Sequence, residues 1–209
     1  MKKAFLFPGQ GAQYPGMGKD LWENSKTVKD IFDSASKVSG FDVTSLIFNG
    51  TAEDLKATDK AQTAITAVSM SASAVLREKG IKPEGAAGFS LGEYAALAEC
   101  GVVRREDVFP LIKARGDIME SVSRTLDTPE GKPGMAAVIG LSLEQAETAI
   151  RDADIENLYI ANYNSPSQVV VSGTAESLEK GQPVLKEAGA KRFVPLRVSG
   201  PFHCPLLED

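Results

Sequence analysis

Between Gly85 and Tyr94 the chain runs Gly-Ala-Ala-Gly-Phe-Ser-Leu-Gly-Glu-Tyr, and no other stretch restricts the possible folds so tightly. A short apolar segment, one serine with Gly88 and Gly92 two residues to either side, and the opening of an apolar helix predict a strand that turns sharply into a helix. Glycines at those two places let neighbouring backbone pass close to the turn. The helix should run over about 91–100 and stop at Gly101. Its unpaired N–H groups and positive dipole end would then face the place where an oxyanion forms on a group attached to Ser90. The same letters also spell a capping box, Ser90-Leu91-Gly92-Glu93, in which the serine does no more than cap the helix.

Composition narrows the choice. With 209 residues, 43% of them hydrophobic and 24% charged, the chain can bury a sizeable core as one large or two smaller domains. A net charge of −5 excludes nucleic acid as a main partner, because neutralising phosphates requires a basic face. The apolar start, Ala4-Phe5-Leu6-Phe7, is cut by Pro8-Gly9 and is too short for a signal sequence or a membrane span. Cys100 and Cys204 have no metal-ligand or disulfide spacing, so no metal is expected and a reducing cytoplasm fits. The single histidine is His203, in the proline-bracketed loop Ser199-Gly200-Pro201-Phe202-His203-Cys204-Pro205. If Ser90 has an imidazole base, His203 is that base.

Around the elbow, residues 3–7 predict a strand, followed by the glycine-rich loop 8–16. Tyr14 stands where a dinucleotide fingerprint needs its third glycine, so that loop offers backbone donors rather than a nucleotide site. Apolar periodicity predicts helices over 19–39 and about 59–79, the second rich in Ala and Ser and suited to close packing. A further helix is expected from 104 to about 124, kinked or started by Pro110, with Gly116 implying a close backbone approach beside Arg115. The turn-rich run 127–134 marks a domain boundary, after which strand 135–139, helix 142–153, strands 159–162 and 168–172, helix 175–188 and strand 191–198 follow. That order is β-α-β-β-α-β, the ferredoxin-like split unit.

Four motifs, Gly-Gln-Gly-Ala-Gln from Gly9, Gly-Phe-Ser-Leu-Gly-Glu from Gly88, Ala-Arg-Gly around Arg115 and Ser-Gly-Pro-Phe-His-Cys-Pro from Ser199, occur in one order along the whole chain. In this the chain resembles the malonyl-CoA:acyl carrier protein transacylases. The resemblance implies an α/β fold: an α/β-hydrolase-like large domain with a parallel sheet and nucleophile elbow (1–127 and 198–209), and an inserted ferredoxin-like small subdomain (128–197). It implies Ser90 as the acyl-accepting nucleophile, His203 as general base and acid, and the backbone N–H groups of Gln10 and Leu91 as oxyanion donors. It also implies that Arg115 grips the malonyl carboxylate with two parallel hydrogen bonds, and that Leu91 and Phe202 favour an unbranched acyl group.

Malonyl-CoA and acyl carrier protein are the implied partners, and no cofactor is expected beyond the CoA thioester that serves as substrate. A carrier protein of this kind is acidic, which points to Lys186, Lys191 and Arg192 as its landing place. Phe89 stands where members commonly carry histidine, and the chain stops soon after His203, so a C-terminally shortened large domain with low activity by itself is expected. Three other readings share some of these features. They are an acyltransferase serving a polyketide synthase, a serine esterase, for which Arg115 has no use and no recognisable triad acid is present, and a non-catalytic module that binds carrier protein.

Overall fold

The two short apolar runs at 4–7 and 85–88 pair with each other. In the computed structural model, which describes residues 2–129 and 131–208, β1 (Ala4–Phe7) and β2 (Gly85–Gly88) form a parallel two-stranded sheet with Ala4 opposite Gly85 and Phe7 opposite Gly88. Parallel neighbours require a long crossover, and here it carries α1 (Lys19–Asn24), α2 (Lys26–Ser39), α3 (Val43–Asn49) and α4 (Thr58–Glu78). From β2 the chain turns directly into α5 (Gly92–Glu99) and continues into α6 (Arg105–Thr125), which runs through Pro110 instead of starting there. The chain is α/β and divides into two compact units between Ile118 and Met119.

The expected helix over 19–39 is two helices. Ser25 breaks it, adopting an extended conformation and accepting a hydrogen bond from the Val28 N–H at 3.3 Å, so that it caps α2. The helix α3 carries no sequence-level expectation, and it is capped by Asp42, whose Oδ1 accepts from the Ser45 N–H at 2.8 Å. The core of the first unit gathers Val28 and Phe32 of α2, Ile47 of α3, Ala64, Ile65 and Ala67 of α4, Leu91, and Val108 and Ile112 of α6. The small residues of α4 lie buried along most of its length, Ala61, Ala64, Ala67 and Ser71 completely, as expected of a helix that packs backbone to backbone.

The second unit follows the element order read from the sequence: β3 (Gly134–Ile139), α7 (Leu143–Asp152), β4 (Leu158–Ser165), β5 (Gln168–Gly173), α8 (Ala175–Glu187) and β6 (Arg192–Pro195). Its sheet has the order β4-β5-β3-β6 with every neighbouring pair antiparallel. Successive strand residues point to opposite faces, and both faces of the central strands are covered. Ala136, Val138, Val169 and Val171 pack with Ala146, Ile150 and Leu185 of the helices, whereas Met135, Ala137 and Val170 pack with Phe202. This is why β3 and β5 read as unbroken apolar runs.

Candidate active site

Ser90 leaves β2 with φ at +49°, a left-handed conformation rare for a residue with a side chain and unfavourable by about 1–2 kcal/mol. The surroundings enforce it. The Phe89 N–H donates to the Phe7 carbonyl at 3.0 Å, and the Gly92 N–H to the Phe89 carbonyl at 3.0 Å. A Cβ on Gly88 would overlap the backbone of Gly92 and Glu93, and one on Gly92 would overlap the carbonyls of Phe7 and Pro8. Both glycines of the motif are therefore steric requirements of the turn.

The capping-box alternative lacks its bond. The cap position of α5 falls on Leu91, which makes no side-chain cap, and the Glu93 N–H donates to the Ser90 carbonyl at 3.1 Å instead of to the hydroxyl. The Ser90 hydroxyl accepts instead from Arg115 Nη2 at 3.3 Å. The Leu91 N–H precedes those of Gly92, Glu93 and Tyr94, which bond back into the turn, so it lies at the donor-rich end of the helix.

Arg115 projects from α6, where a Cβ on Gly116 would come within 2.9 Å of the Asp59 Cα. The close approach anticipated from that glycine is present, and it fixes the α6 backbone against α4 at this level. The guanidinium is half-buried, with its carbon 5.8 Å from the centroid of the Tyr94 ring. Its neighbour on the helix, Lys113, pairs with Asp117 at 2.6 Å, but Arg115 has no carboxylate salt-bridge partner among the described residues. Burial pushes the Arg115 guanidinium below its usual range, while Tyr94, by charge and hydrogen bonding, and the charge of Glu93 oppose that shift. Arginine nevertheless stays cationic throughout the working range of proteins.

The glycine-rich loop runs beside the elbow. A Cβ on Gly9 would lie 2.6 Å from the Phe89 carbonyl oxygen. Gln10 is oriented by donation from its Nε2 to Thr58 Oγ1 at 3.2 Å, and Gln13 Nε2 donates to the Leu55 carbonyl at 3.2 Å. Ser90, Leu91, Gln10 and Arg115 thus all belong to the first unit.

His203 and Phe202 belong to the second. His203 is exposed and also has a left-handed backbone, φ +59°. Contacts on both sides tie its loop down within the unit. Ser199 Oγ bonds to Glu120 Oε2 at 2.8 Å, the Cys204 thiol donates to the Pro201 carbonyl at 2.9 Å, and the Phe202 ring is 4% exposed against Met135, Ala137 and Val170. Two residues were not singled out from sequence. Thr58 orients Gln10, a partnership across distant sequence positions with no local signal. Tyr94 faces Arg115, and its place in the first turn of the helix that the elbow feeds is a signal that could have found it.

Comparison with known proteins gives this geometry a context. Residues 4–205 match the acyl transferase domain. The chain belongs to the acyl transferase domain family. It is 41% identical over 99% of its length to the malonyl CoA-acyl carrier protein transacylase of Bacillus subtilis strain 168, of which it covers 64%. Among solved structures it is similar to MCAT from Streptococcus pneumoniae (TM-score 0.87, 42% identity, 99% of this chain and 66% of that one). It is also similar to a malonyl-transacylase solved with its type II polyketide acyl-carrier protein (TM-score 0.90, 38% identity, 100% of this chain and 66% of that one). The chain therefore spans just under two-thirds of the length of the relatives it matches, and the resemblance drawn from its four motifs is borne out. Among the described residues no group of three or more His, Cys, Asp or Glu could hold a metal ion, and no helix is long and apolar enough to cross a membrane.

Proposed function

We propose that this chain carries the centre of an acyltransferase that moves a malonyl group from malonyl-CoA to the phosphopantetheine thiol of an acyl carrier protein, as in fatty acid biosynthesis. The observation that carries the proposal is the half-buried Arg115, without a carboxylate partner among the described residues, donating to the hydroxyl of a serine held in a strained turn. A buried guanidinium without an anion is costly, and a substrate carboxylate arriving on Ser90 would supply one in fork geometry that lysine cannot match.

In the first half-reaction the Ser90 oxygen attacks the thioester carbonyl and His203 takes the hydroxyl proton. The backbone N–H groups of Gln10 and Leu91 stabilise the oxyanion. The carbon–sulfur bond then breaks, and CoA leaves as the thiol with the proton from His203. The second half-reaction runs the same steps with the carrier thiol as nucleophile, which frees Ser90. Phe202, as the resemblance assigns it, crowds branched acyl groups, a discrimination of about 10–200-fold per methyl.

The same reading treats residues 1–127 and 198–209 as an α/β-hydrolase-like domain and 128–197 as a ferredoxin-like insertion, in a cytoplasmic protein. The parallel β1–β2 pair feeding an elbow, and the βαββαβ order of the second unit, support it.

The test is acyl-group selectivity. Arg115→Ala should lower kcat/KM for malonyl-CoA by at least about a hundredfold while sparing acetyl-CoA, since a carboxylate left without its partner loses several kcal/mol. An unchanged malonyl-to-acetyl ratio would remove the clamp.

A further inference from the structure

Arg115 has to be held in place during the part of the cycle in which its hydrogen bond to Ser90 is lost. The serine oxygen accepts from Nη2 at 3.3 Å only while it is a hydroxyl. Once acylated it becomes an ester oxygen, whose lone pair is delocalised into the carbonyl and accepts poorly. A long side chain released at that moment would recover rotamer freedom and spread its five donors over many orientations. The remaining contact described for the guanidinium is Tyr94.

The placement of Tyr94 suits the task. It follows Ser90 by four residues across the elbow, and both side chains reach the Arg115 guanidinium. Its ring is half-buried and packs against the core of the first unit, which fixes its own orientation. The Arg115 guanidinium carbon lies 5.8 Å from the ring centroid, within the range of about 6 Å over which a cation is attracted to an aromatic face. Tyr94 also hydrogen-bonds the guanidinium, but arginine has five N–H donors, so a ring that holds it through this contact leaves other donors available to a carboxylate.

We infer that Tyr94 is a positioning residue: its ring holds the Arg115 guanidinium while Ser90 carries the acyl group, so that the in-plane donors stay directed at the acyl carboxylate. The inference rests on Arg115 being the carboxylate clamp. Tyr94 itself touches neither substrate nor the reacting atoms in this account.

The test compares kcat/KM for malonyl-CoA and acetyl-CoA in the wild type, Tyr94→Phe, Tyr94→Leu, Arg115→Ala and the Tyr94→Leu/Arg115→Ala double variant. Tyr94→Phe keeps the aromatic face and should hold the malonyl-to-acetyl ratio within about threefold of wild type, whereas Tyr94→Leu should lower it about tenfold. In the Arg115→Ala background, Tyr94→Leu should leave the ratio unchanged, because the residue it acts through is gone. If Tyr94→Leu depresses both substrates equally, or lowers the ratio further without Arg115, Tyr94 is a packing residue and the inference is overturned. If the leucine variant does not fold, Tyr94→Met gives a second non-aromatic side chain for the same comparison. The two failures are distinguishable. A ratio untouched by Arg115→Ala removes the clamp itself, while a ratio that collapses in Arg115→Ala but survives Tyr94→Leu removes only the role of Tyr94.

Discussion

At Ser90 the backbone is left-handed because the residues around it leave the chain no other course. Gly88 and Gly92 each touch backbone where a methyl group would stand, and two main-chain hydrogen bonds cross the turn on either side. Gly92→Ala should therefore prevent the turn from closing. The expected result is a loss of several kcal/mol in chemical denaturation, well beyond the ~1 kcal/mol of a typical substitution. These requirements are local and steric, and for that reason they were legible as a motif. The same holds for Gly116, whose approach to Asp59 was implied by a glycine in the middle of a helix. Arg115 was different. A surface arginine can have the same spacing, and only the fold supplies the half-buried setting and the Tyr94 ring that separate Arg115 from one.

Whole elements are legible where periodicity is long and not where a cap decides. Leu21 lies in phase with the apolar stripe of α2, so the pattern does not announce the break that the Ser25 cap imposes. With seven residues, α3 is too short to show a period at all. The elbow helix has an anchor that the sequence did not reveal. Glu99, its side chain 2% exposed, accepts from Arg77 Nε at 2.6 Å, from Ser73, and from Arg105 at 3.3 Å. Burial alone would raise the Glu99 carboxyl, but the hydrogen bonds from Arg77 and Ser73 and the charges of Arg77 and Arg105 outweigh it and hold it below its ordinary value of 4.5. A carboxylate with a depressed folded-state value contributes stability in full above its unfolded value, and that contribution is lost as pH falls through the folded one. Glu99→Gln should cost about 1–3 kcal/mol at neutral pH, at the lower end because both arginines reach solvent. The gap between wild type and variant should narrow as pH drops below 4.5. Denaturant titrations of the two proteins across that window check it, and a gap that widens toward acid would reverse the sign.

Across the whole molecule, the element order of the second unit was legible because its strands are bounded by clear turn residues. The unbroken apolar runs of β3 and β5 fit burial on both faces, but that Phe202, from far along the chain, helps cover one of them was not legible. The same unit exposes Lys186, Lys191 and Arg192, none of which forms an ion pair among the described residues. In a chain of net charge −5, such a basic group is where the proposed function would have an acidic carrier protein land. Reversing these three charges should slow malonyl transfer to carrier protein about tenfold or more at low salt, yet leave acylation by malonyl-CoA unchanged. Equal rates in both half-reactions would move the landing place elsewhere.

The claim on which everything else depends is that Ser90 carries the acyl group, and intact-protein mass measurement after incubation with malonyl-CoA tests it most directly. The wild-type chain should gain one malonyl group and lose it again when carrier protein bearing a free phosphopantetheine thiol is added, and Ser90→Ala should show no adduct. A malonyl adduct of the same occupancy in Ser90→Ala, or a wild-type adduct that maps by peptide sequencing to any other residue, would contradict the account.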